Sequence, residues 1–285
     1  MSTPPPPIPP DGSQSNQPPL LPAHAPGASR LRWAIHLLLI TAFPVVIGVA
    51  GAGRSQTQQP ALGRGPLALM WISAVEVLIF GVVFGLAWLA SRASASDLRW
   101  RWRRGFWTVP LGMAYSVALR LAVGIVVAFI ATVLLALHVT TTNSMQHFLM
   151  ANRPDVGAIV DIRALHQNPF YFWLAVTVVS FGVGGLREEL WRSAFLAGTR
   201  GVWPERFSST AGQIAAAALA AVAFGIGHLA QGVLAVGLTA LLGFGLGLIM
   251  IFHRSIWPSV IAHGTFDATS MALLPWVMQN LPHAG

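Results

Sequence analysis

The sequence of 285 residues contains no cysteine, which excludes disulfide bridges, thiolate nucleophiles and thiolate metal sites. It contains no lysine either: all 17 basic residues are arginine, a uniformity that points to composition bias in the source rather than to a mechanism. Charge of both signs is scarce. Charged residues are 9% of the chain and hydrophobic ones 54%, whereas a soluble globular protein carries roughly 25% charged residues to cover its surface. A chain so poor in charge must turn much of its surface to lipid, so a soluble enzyme or binding domain is excluded. The net charge of +8 and pI near 11.6 invite a nucleic-acid reading. The arginines lie between apolar runs rather than on one basic face, however, and no nucleic-acid partner is expected.

Residues Met1 to Ser29 hold ten prolines among Gly, Ser, Gln and Asn. They have neither a basic n-region nor an apolar h-region, so they do not form a signal peptide, and a disordered Pro-rich N-terminal tail is expected. From residue 30 to 285 the chain reads as one transmembrane helical domain. Its apolar runs each approach the roughly 20 residues a helix needs to cross a bilayer. They extend from Ala34 to Ala52, Leu67 to Ser91, Phe106 to Leu137, Phe170 to Leu186 with an extension to Arg200, Thr210 to Ala230, Gly232 to Phe252, and Ile256 to Met278. The third is long enough to be tilted or to hold two elements, with Pro110 near its start. The expectation is an all-α, multi-pass bundle of seven or eight membrane helices, with lipid as its first partner.

Arginine placement sets an expected orientation, because basic short loops stay on the cytoplasmic side. The loop with Arg92, Arg99, Arg101, Arg103 and Arg104 then lies inside, together with the N-terminus, Arg200, Arg206 and Arg254. Arg54 and Arg64 run against this pattern. An integral protein of a bacterial plasma membrane with its N-terminus in the cytoplasm is expected. The segment from His138 to Asn168 falls on the opposite side and is long enough to contain an interfacial helix.

Each ionisable group within an apolar run marks a functional site or half of a structural pair, since charge at membrane depth is costly. Glu76 and Arg120 both fall well inside their runs, and an ion pair between them is expected to lock two helices together. His36, His138 and His253 fall at run ends, where interfacial histidine is ordinary.

Three polar clusters interrupt the last hundred residues: Arg187-Glu188-Glu189-Leu190-Trp191-Arg192, Phe224-Gly225-Ile226-Gly227-His228, and His263-Gly264-Thr265-Phe266-Asp267. Arg192 is four residues from Glu188 and three from Glu189, so on a helix it can meet either carboxylate and leave the other free. His263 and Asp267 stack one above the other, about 6 Å apart along a helix axis, and address the same small volume. Gly243 and Gly247 form a G-x-x-x-G stripe that lets helix backbones approach closely.

Together the three clusters resemble the CPBP intramembrane endopeptidases, also known as the CAAX prenyl protease 2 or abortive-infection family. Its pattern is Glu-Glu-x-x-x-Arg, Phe-x-x-x-His and His-x-x-x-Asn or Asp. Phe224 to His228 fits the second element and His263 to Asp267 the third, with Pro258 before it. The first departs by one residue: aligning on Arg192 puts Glu188 at the second glutamate and Arg187 at the first, while aligning on the glutamates moves Arg192 out of register. The resemblance covers about residues 170–278 and implies a membrane-embedded protease acting on a peptide or membrane-protein substrate near the membrane surface.

Peptide hydrolysis needs an activated water, a donor for the oxyanion and a proton for the leaving amine. Under this reading Glu188 or Glu189 activates the water with His228, Arg192 holds the other glutamate, and His263 and Asp267 face the oxyanion. His228, His263 and Asp267 could instead hold Zn²⁺ with one open position, and the metal and metal-free mechanisms both stay open. A catalytically inactive scaffold or immunity protein with the same fold is the alternative, and a proton-coupled transporter using Glu76 and Arg120 is a third class.

Overall fold

The computed structural model of the chain describes residues 29–52 and 60–280; the expected N-terminal tail lies outside the described residues, apart from Ser29. Among these residues there are only helices and connecting turns. In chain order they are α1 (Arg30–Ala52), α2 (Gly65–Ser91), α3 (Thr108–Ala136), α4 (Thr142–Ala151), α5 (Ile162–Gln167), α6 (Pro169–Leu174), a π-helical segment (Ala175–Arg187), α7 (Glu188–Val202), α8 (Pro204–Phe207), α9 (Thr210–Ile226), α10 (Val233–His253) and α11 (Trp257–Asn280).

Local chemistry sets the ends. Asn168 caps α6 by accepting from the backbone N–H groups of Phe170 and Tyr171, with Pro169 in the first turn. Ser209 caps α9 through Gly212 N. α2 and α10 both stop where an arginine, Arg92 or Arg254, turns left-handed at φ 54° and 50°.

Among the described residues four helical stretches are long and apolar enough to cross a membrane: Gly65–Ser91, Gly105–Ala136, Pro169–Val202 and Val233–His253, with Thr210–Ile226 a shorter apolar helix. The chain is an integral membrane protein. The third run is a single long helix, α3, after one 3₁₀ turn at Gly105–Trp107. Within the connection from His138 to Asn168, α4 is a short and largely exposed helix.

α1 packs between α2 and α7, α9 lies along α10, and α11 runs against both α3 and the π-helical segment. Small residues bring α9 and α10 together: a Cβ on Gly225 would lie 2.5 Å from the carbonyl of Val236, and one on Gly247 3.0 Å from Ala217 Cβ. A Cβ on Gly243 would meet the Phe224 ring at 2.7 Å and Arg192 Nη2 at 3.3 Å. The glycine stripe therefore leaves room for two side chains of the polar centre as well as for the backbone contact.

Two expectations about charged groups are corrected. Glu76 does not pair with Arg120; it meets Arg187, with Arg187 Nη1 donating to Glu76 Oε2 at 2.8 Å. Arg120 bonds instead to Ser116 on its own helix and to Phe266 O, Thr269 and Ser270 on α11, its guanidinium 4.0 Å over the Phe266 ring. The cause is the packing order, in which α2 faces α6 and the π-helical segment while α3 faces α11. His36 is not an exposed run-end histidine. It is fully buried, its two ring nitrogens 3.0 Å from Ala87 O and from Ala194 O, and so ties α1 to α2 and α7.

Candidate active site

The polar centre forms where the π-helical segment passes into α7. A π turn holds more residues than an α turn and rises less for each, so it shifts the side chains that follow it. Ser180 marks the wider winding by donating to Ala175 O, five residues back. Glu188 and Glu189 then begin α7 beside His263 of α11.

The two glutamates have separate environments. Glu189 is wholly buried, ion-paired with the equally buried Arg192 one turn on, and accepts from His263 Nδ1 at 3.0 Å. Glu188 keeps 19% of its side chain exposed and accepts from Arg187 Nη2 at 2.8 Å. Arg187 thus links Glu188 to Glu76 of α2. Of the two glutamates, Arg192 engages the one three residues away.

His263 is 3% exposed and stands among three carboxylates. With Nδ1 given to Glu189, its Nε2 faces Glu188 Oε2 at 3.7 Å and Asp267 Oδ2 at 3.6 Å. Both distances exceed a direct hydrogen bond and suit groups that share a bridging water or substrate atom. Phe224 organises the other side. Its ring is 4.7 Å from that of His228, 6.0 Å from that of His263, and 5.0 Å from the Arg192 guanidinium.

Residues 168–269 match the family model described as type II CAAX prenyl endopeptidase Rce1-like. The match covers somewhat more than a third of the chain, which there resembles a domain of that family. The chain is an integral membrane protein whose matched residues are similar to a protease family. No curated protein and no solved structure matches the chain.

Five of the six residues singled out in the sequence converge: Glu188, Glu189, Arg192, His263 and Asp267. His228 stands one ring further out. Its Nδ1 donates to Phe224 O at 2.9 Å, leaving Nε2 unengaged. The proposed zinc set of His228, His263 and Asp267 does not fit this geometry. Among the described residues no group of three or more His, Asp or Glu side chains is arranged to hold a metal ion, and both ring nitrogens of His263 are turned to carboxylates.

Three contributors went unread in the sequence. Arg187 reads there as a flanking charge, Glu76 as a partner of Arg120, and Phe224 as one letter of a motif. Gly184 is a fourth, because a Cβ there would fall on the Asp267 carboxylate. The available signal was Arg187 itself, a third charge beside two glutamates in an otherwise apolar run.

Proposed function

We propose that the protein is an intramembrane endopeptidase that hydrolyses a peptide bond by Glu188-activated water without a metal ion. The observation that carries this reading is the division of labour between adjacent glutamates: Glu189 is consumed by Arg192 and His263, while Glu188 is partly accessible and faces the same His263 nitrogen as Asp267. In the proposed step Glu188 takes a proton from a bound water, with His228 on the outer side of the site, and the hydroxide forms a bond to the carbonyl carbon of the scissile peptide. His263, fixed through Glu189, carries the resulting oxyanion, with Asp267 orienting it. The C–N bond then breaks as Glu188 returns its proton to the leaving amine nitrogen.

The spacing of the three motifs and the family of residues 168–269 support a peptide substrate near the membrane surface. The test is cleavage of a membrane-peptide library by the purified chain and by Glu188→Gln, Glu189→Gln and His263→Ala. Glu188→Gln should lose about 10²- to 10⁴-fold in kcat, the usual contribution of a positioned general base, and remain folded. Full activity in Glu188→Gln would overturn its role as base, and absence of cleavage by the unaltered chain on every peptide would favour the inactive-scaffold reading.

A further inference from the structure

The Arg-rich loop after α2 is laced to the turn between α10 and α11. Ile256 N donates to Arg99 O at 2.9 Å, Trp257 Nε1 to Trp100 O at 2.7 Å, Ser255 Oγ to Arg101 O at 2.9 Å, and Arg103 Nε to Arg254 O at 3.0 Å. These bonds make a fixed shelf. Arg101, Arg103 and Arg104 are exposed on it and Arg254 is half-exposed, while the nearby acid Asp97 is already taken by Arg200 at 3.0 Å. Beneath the shelf Arg99 is 3% exposed, and burial, followed by the charges of Arg200 and Arg254 and opposed by Asp97, pushes its guanidinium down to about 9. Uncompensated positive charge is therefore crowded here.

An apolar groove of about 480 Å³ opens beside the shelf, between α3, the π-helical segment and α11. Trp102 and Trp257, whose rings are 5.2 Å apart, stand at its basic end; Met113, Phe181 and Ile261 form its walls, and Ala268 closes it. Its lining includes no charged residue. Met113 is 50% exposed on the lipid-facing α3, so the groove is open to the bilayer. Tryptophan pairs belong at the headgroup level, and guanidinium groups bind phosphate through paired N–H donors.

We propose that shelf and groove together hold one anionic phospholipid, its phosphate on the arginines of the Arg101–Arg104 segment and one acyl chain between α3 and α11. A zwitterionic lipid fits less well, because the nearby Asp97, which would meet its cationic group, is engaged by Arg200. This inference does not depend on the protease reading.

The test is native mass spectrometry of the full-length chain in detergent with equimolar phosphatidylglycerol and phosphatidylcholine. One phosphatidylglycerol should be retained in preference. Replacing Arg101, Arg103 and Arg104 together by Gln should weaken retention about a hundredfold, and Arg104→Gln alone about fivefold, at the usual contribution of one arginine near a membrane surface. Met113→Trp, which fills the groove, should abolish retention with the helical circular dichroism unchanged. Equal retention of the two lipids, or unchanged phosphatidylglycerol binding in Met113→Trp or in the folded arginine variants, would overturn the proposal. So would displacement by inorganic phosphate alone, which would make the groove irrelevant, or by a lipidated peptide with equal affinity for the triple variant, which would assign the groove to substrate.

Discussion

Adjacent residues on an α-helix point about 100° apart, so Glu188 and Glu189 cannot share one environment even though both border His263. Glu189 and Arg192 are each fully buried and depend on each other for neutralisation. Removing Arg192 leaves the buried Glu189 carboxylate with His263 as its remaining partner, so Arg192→Met should lower stability by about 3 kcal/mol, read as a fall in the detergent melting temperature. Glu76→Gln should act differently. Its pair with Arg187 is partly exposed, so stability should change little, while loosening Arg187 should lower kcat about tenfold by freeing Glu188 to move. A kcat loss with KM unchanged supports this positioning role, and an unchanged kcat refutes it. The sequence made the Arg192 contact legible through its three- and four-residue spacings. It did not reveal the partner of Glu76, because position within one apolar run gives a depth and says nothing of which helix lies opposite.

At the scale of the element, the π-helical segment is what brings backbone against backbone. A Cβ on Gly185 would lie 2.8 Å from Val260 O, and one on Gly184 would coincide with the Asp267 carboxylate. Gly182 in the same segment meets nothing within 4 Å. Gly184→Ala should therefore displace Asp267 and reduce cleavage at least tenfold, whereas Gly182→Ala should leave cleavage unaltered; equal behaviour of the two in a peptide assay would refute the contact. The wider winding was not legible beforehand. From Ala175 to Leu186 the residues are uniformly small or apolar with few polar markers, so no periodicity separates a π turn from an α turn.

At the scale of the whole molecule, the all-α membrane bundle follows from run length and scarcity of charge, but the neighbours of each helix do not, because uniformly apolar helices carry no stripe that names a partner. The dependence of the matched residues on the N-terminal helices emerges only from the packing. Trp33, Ile40, Phe43 and Phe80 share one core with Trp191, Ala194, Ala197 and Phe224. Trp191 Nε1 donates to Ile40 O at 2.9 Å, and a Cβ on Gly201 would enter the Trp33 ring. Glu76 adds the contact to Arg187. A fragment spanning residues 138–285 would thus uncover the back of α7 while retaining all of the family match. It should aggregate or elute as a mixture on size exclusion and show no cleavage, because without α1 and α2 neither the face of α7 nor Arg187 is held. Co-expression with residues 1–137 should restore a monodisperse complex and the same peptide cleavage, since the break falls in the exposed turn after α3. An active, monodisperse fragment on its own would show that the N-terminal helices are dispensable for the site.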